Sequence, residues 1–215
     1  MMSFIREPIN SLTHFVGAIL SFIGLLALII KASLHNGTNI AIFSVTFFGI
    51  SMMLLYLASS TYHGVRAKHT VIAFLRKVDH SMIFVLIAGS YAPFCLIALD
   101  GVLGISLFAF VITTSILGVL FKMVWFSCPR WLSTFLYILL GWVIIIAFLP
   151  LSKALSTAGL VWLIQGGVFY TIGGVIYAVK PKFMEFKHMG FHEIFHIFIL
   201  LGTLCHFISV YGYVL

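Results

Sequence analysis

The chain has 215 residues, of which 62% are hydrophobic and only 8% charged, and its formal net charge is +7. A soluble domain typically carries about 25% charged residues, so this chain lacks the polar side chains to cover a water-facing surface. The positive balance does not point to nucleic acid, because the basic residues sit in short runs between apolar stretches, where they suit cytoplasmic loops beside anionic lipid. The three cysteines, Cys95, Cys128 and Cys205, are odd in number and form no C-x-x-C. That argues against a disulfide framework and against a cysteine-rich zinc knuckle. The stretch from Met1 to His14 lacks the short apolar core and small-residue cleavage site of a signal peptide, so the first apolar span is expected to be retained.

About 20 apolar residues cross a hydrocarbon core of about 30 Å. Seven segments qualify: Leu12–Lys31, Ile40–Tyr62, Asp79–Leu99, Val102–Val124, Leu132–Pro150, Leu160–Val179 and Phe191–Val214. Turn formers separate them at His35-Asn36-Gly37, Asp100-Gly101, Cys128-Pro129 and Lys180-Pro181. Backbone groups in lipid must bond within their own segment, which favours helices, and the alternating ten-residue faces of a β-barrel are absent. The expectation is an all-α integral membrane protein, one seven-helix domain over residues 1–215, in the cell's inner (plasma) membrane. Orientation follows from Lys and Arg. With the amino terminus inside, the inner segments hold Arg6, then Arg66, Lys68, Arg76 and Lys77, then Lys122 and Arg130, then Lys180, Lys182 and Lys187. Only Lys31 and Lys153 fall outside. The positive-inside rule therefore predicts a cytoplasmic amino terminus and an external carboxyl terminus.

That topology gathers polar side chains at one depth. His63 ends the second span, Asp79 begins the third, and His192 and His196 lie in the first turns of the seventh. Ser59 precedes His63 by one helical turn, and His192 and His196 are likewise i, i+4, so each pair shares a face. Ionisable residues within a membrane are expensive and default to function. Three imidazoles plus a water make the open tetrahedral site of zinc hydrolases. Asp79 is then placed to accept a proton from that water, and Ser59 to donate a hydrogen bond beside the site. The competing reading, in which these histidines cap helix ends or bond one another, suits any one of them better than it suits the set.

Three short motifs carry a resemblance. Glu7, Asn10 and His14 form E-x-x-N-x-x-x-H; Ser59 and His63 form S-x-x-x-H, followed by Asp79 on the next helix; His192 and His196 form H-x-x-x-H. Together, and in this order, they resemble the hemolysin III branch of the progestin and adipoQ receptor family, which includes the adiponectin receptors. The resemblance implies that His63, His192 and His196 bind Zn2+, that Ser59 and Asp79 organise its water, and that the activity is ceramidase-like hydrolysis of a membrane lipid. The family's name also admits cytolysis by a pore, although no ring-forming charged stripe is present, and a non-enzymatic regulator or sensor with structural zinc remains open. The long amino-terminal region of the animal receptors is missing, so hormone reception does not carry over.

Other residues receive plainer readings. Glu193 turns the third motif into a literal H-E-x-x-H, the signature of zinc proteases. However, Leu99-Asp100-Gly101 would lie across the bilayer from His192 and precedes it, so Glu193 is expected to be an interfacial or interhelical polar contact. His206 lies about 21 Å along the helix from His192, too far to share an ion, and is expected to be buried and hydrogen-bonded. His80 is turned about 100° from Asp79. Glu7, Asn10 and His14 are expected to tie the first helix to the core, and Cys205 and Gly202 to pack closely near Gly173 and Gly174.

Overall fold

The computed structural model describes residues 5–35, 37–99, 101–186 and 189–215. Asn36, Asp100 and Lys187 lie outside the described residues. Helices run α1 Pro8–His35, α2 Asn39–Gly64, α3 His69–Pro93, α4 Gly101–Val124, α5 Arg130–Trp142, α6 Phe148–Ala154, α7 Thr157–Val179 and α8 Phe191–Ser209. A wider π turn extends α3 over Phe94–Ala98 and α8 over Val210–Val214, and a 3-10 stretch, Val143–Ala147, joins α5 to α6. Among the described residues, seven segments are thus long and apolar enough to span a membrane, α5 and α6 sharing one of them.

The ends have local causes. The Thr38 hydroxyl accepts from the Ala41 amide and the Ser156 hydroxyl from the Gly159 amide, capping α2 and α7. Gly37 and Gly101 adopt positive φ, 61° and 62°, at the turns into α2 and α4, where a side chain would be strained. The third span differs most from expectation. α3 begins at His69, ten residues before Asp79, so Arg76 and Lys77 belong to the helix and Asp79 lies nearly three turns inside it. Its first turns are too polar to register as membrane-spanning, yet their backbone continues the same helix.

Packing centres on α2. Its Val45, Phe48, Met52 and Tyr56 are buried among Leu28, Leu86, Phe94 and Val210 from α1, α3 and α8 and their extensions. α7 packs on α8 through glycine: a Cβ on Gly202 would stand 2.6 Å from the Tyr170 ring, and one on Gly173 2.9 Å from Phe198 Cβ. Large apolar side chains such as Leu20, Ile105, Leu117, Ile146 and Val161 cover the outside, as a lipid-facing surface requires.

The fifth span is broken at its middle. Where α5 gives way to the 3-10 stretch at Trp142, the Tyr91 hydroxyl accepts from the Ile144 amide at 2.8 Å. It also lies 2.9 Å and 2.8 Å from the Leu140 and Gly141 carbonyls, to which it donates. Groups freed by a broken helix must find partners inside the protein, and one phenol from α3 supplies them.

Candidate metal centre

α2 delivers His63 from its last turn, and α8 delivers His192 and His196 from its first two. The three rings form a nearly equilateral triangle, with centroids 5.0 Å (His63–His192), 5.0 Å (His63–His196) and 4.7 Å (His192–His196) apart. One ligand atom from each lies within 4.8 Å of the others, and this is the one such group of three among the described residues. His63 and His196 are 1% and 2% exposed, so water cannot replace a missing partner freely.

Glu7 orients the first ring. Its carboxylate lies 2.6 Å from His63 Nδ1, which leaves Nε2 of His63 facing Nε2 of His192 at 3.2 Å. A metal held tetrahedrally at about 2.0–2.1 Å from imidazole nitrogen spaces neighbouring ligands about 3.3 Å apart. The His63–His192 separation matches that spacing, and His196 Nδ1 is buried without a hydrogen-bond partner. The residues present therefore fit a small cation with nitrogen ligands.

The surroundings were only partly foreseen. The amino-terminal segment lies against the end of α2, with the Glu7 amide donating to the His63 carbonyl at 3.0 Å and the Arg6 amide to the Gly64 carbonyl at 3.2 Å. Asn10 donates to Glu7 at 3.2 Å and to Glu193 at 2.8 Å, bridging the elements that carry the rings. The His63 hydrogen bond, acting against burial and aided by Asn10 and Arg6, holds the Glu7 carboxyl down at about 2. It is thus an ionised acceptor, the usual partner of a metal-ligating histidine. The E-x-x-N-x-x-x-H motif contained this signal, but spacing along α1 does not show which helix Glu7 faces. Of the interfacial and interhelical readings of Glu193, its bond from Asn10 supports the interhelical one. Its second oxygen accepts from the Gly190 amide at 2.8 Å, so both oxygens are engaged by groups other than the three rings.

Asp79 and Ser59 meet beside the rings: both are buried, and the Ser59 hydroxyl lies close enough to act on the Asp79 carboxylate. With His192 and His196 they line a cavity of about 160 Å³ whose other walls are mainly aliphatic and aromatic. Such a space is about ten times what a single water needs. His14 lines it as well and stacks on His196, 3.7 Å between centroids, but is not one of the three converging donors. His80 also reaches the cavity, beside Tyr177. His206 sits elsewhere on its wall, with Nε2 3.2 Å from the Leu163 carbonyl oxygen, the buried hydrogen-bonded position expected.

A family model described as "Haemolysin-III related" matches residues 2–207. The chain is 41% identical to Hemolysin-3 of Bacillus cereus over 219 residues, covering 100% of this chain and 95% of that protein. It is 40% identical to the Hemolysin-3 homolog of Bacillus subtilis (strain 168) over 213 residues, covering 99% and 96%. Seven apolar helices among the described residues, a converging three-histidine group and likeness over the full chain together make this a multi-pass bacterial plasma membrane protein that belongs to the haemolysin-III related family.

Proposed function

We propose that the chain is a zinc-dependent hydrolase of a lipid amide or ester. One observation carries the reading: three imidazoles converge at the edge of an apolar cavity that His192 and His196 line together with the Asp79 carboxylate and the Ser59 hydroxyl. An all-imidazole set suits zinc among the common divalent ions, and His63, His192 and His196 are the residues that would hold it. Bound there, zinc supplies a Lewis acid for a carbonyl and acidifies water. The chain's own groups do the rest. Asp79 accepts the proton of the attacking water at a carboxylate oxygen, and Ser59 fixes that carboxylate by its hydrogen bond. The apolar walls take an acyl chain and exclude bulk water.

The placement of Lys and Arg supports an amino terminus in the cytoplasm and a carboxyl terminus outside, which puts the site in the inner leaflet. Reporter fusions after Lys68 are expected to read cytoplasmic, and fusions at Leu215 external. The reverse readout would overturn the orientation.

The rings also join α2 to α8, an arrangement that favours a second reading in which zinc fastens helices in a regulator. Two measurements on purified protein in bilayer discs separate the readings. Elemental analysis is expected to find about one zinc per chain, and the loaded protein to cleave lipid amides or esters in a chelator-sensitive way. Zinc-loaded protein that cleaves neither, yet melts much lower after chelation, would overturn the hydrolase in favour of the fastener.

A further inference from the structure

At the turn from α4 to α5, away from the histidine group, Lys122, Cys128 and Ser133 close on one another. Lys122 Nζ lies 3.0 Å from Ser133 Oγ and 3.5 Å from Cys128 Sγ, and Sγ lies 3.0 Å from Ser133 Oγ. All three are buried, at 2%, 7% and 3% exposure. The amine also stands 4.8 Å from the centre of the Phe126 ring. A buried ammonium ordinarily has a carboxylate beside it, and among the described residues none pairs with Lys122. Its nearest neighbours are instead a nucleophilic sulfur and a hydroxyl. Cys95 and Cys205 are buried too, yet neither has a cation beside it among the described residues.

The geometry points to a redox modification site, in which a small peroxide converts Cys128 and Lys122 into a covalent sulfur–nitrogen bridge. In the first step Cys128 sulfur attacks one peroxide oxygen. The S–O bond forms as the O–O bond breaks, the thiol proton leaves with the departing oxygen as water, and a sulfenic acid remains. Burial withholds that product from bulk thiols, and Ser133 Oγ is within hydrogen-bond reach to hold it. In the second step Lys122 releases one proton to solvent, its nitrogen lone pair attacks sulfur, and the S–O bond breaks as water leaves after taking up the other N–H proton. Sulfenic acids condense with nitrogen in this way. Thiol, ammonium and peroxide thus give the sulfenamide, two waters and one proton, with the sulfur oxidised by two electrons and the peroxide reduced by two. A dithiol reverses it by attack on sulfur. The bridge ties the last turn of α4 to the turn before α5.

The test treats purified full-length protein with hydrogen peroxide and digests it with chymotrypsin. The fragments Lys122–Trp125 and Ser127–Trp131 are expected to stay joined, two hydrogens lighter than their sum, and to separate after dithiothreitol. Lys122→Arg, which keeps the cation, is expected to lose the joined fragments, while Cys128 becomes labelled by dimedone once the treated protein is unfolded in its presence. Absence of joined fragments from the wild type would overturn the proposal. So would joined fragments of equal yield from protein unfolded before treatment, because the bridge would then owe nothing to the folded turn.

Discussion

Replacing Asp79 by asparagine is expected to keep the metal and the fold while lowering lipid hydrolysis about 10²–10⁴-fold, the usual contribution of a general base. The exchange preserves volume and one acceptor oxygen beside the Ser59 hydroxyl. It removes the oxygen that would take up a proton. None of the three rings depends on Asp79, since His63 is oriented from its other side by Glu7 and His192 and His196 come from α8. Elemental analysis and melting of the variant therefore check that only the proton acceptor has been removed. Hydrolysis at wild-type rate in Asp79→Asn would eliminate Asp79 as the base. If zinc only fastens α2 to α8, the substitution should leave the cellular phenotype largely intact.

The second large effect is expected at Glu7. Glu7→Gln removes the charged acceptor from His63 Nδ1, and losing such a partner typically costs about 10–100-fold in metal affinity. Gln also presents an N–H₂ that can turn toward Nδ1 and favour the wrong tautomer of the ring. The measurement is competition for zinc against a fluorescent chelator, with Glu7→Asp as a variant that keeps the charge and moves it. Unchanged affinity in Glu7→Gln would show that the carboxylate, 2.6 Å from the ring, does no more than hold the amino-terminal segment in place.

Much of this was readable from the residues alone, for identifiable reasons. Apolar length reports bilayer thickness directly, so the spans could be counted, and i, i+4 spacing alone aligns His192 with His196. Hydropathy failed where a helix continues beyond lipid: His69, Arg76 and Lys77 read as loop although α3 begins at His69. It failed again inside the fifth span, where Val143-Ile144-Ile145-Ile146-Ala147 has nothing polar to mark its change of helix type. Glu7 and His63 are 56 residues apart, and no local pattern pairs them. Lys122 was counted among the loop cations that set orientation. Its burial against Cys128 and Ser133 depends on a turn whose shape the sequence does not disclose.

The Tyr91 hydroxyl that completes the broken fifth span belongs to the same unbroken helix as Asp79. The two residues are twelve apart, about 18 Å along the axis. One rod thus bears the carboxylate near the histidine rings and, far along it, the peg on which the opposite wall of the chamber hangs. If α3 slides lengthwise, both ends must travel together: the kink is carried in step with the carboxylate, as two wheels turn on one axle. The fit of the chamber around an acyl chain and the reach of Asp79 into it are therefore not independent variables. A substitution chosen to widen the wall near Ile144 acts, through α3, on the placement of a side chain it never touches.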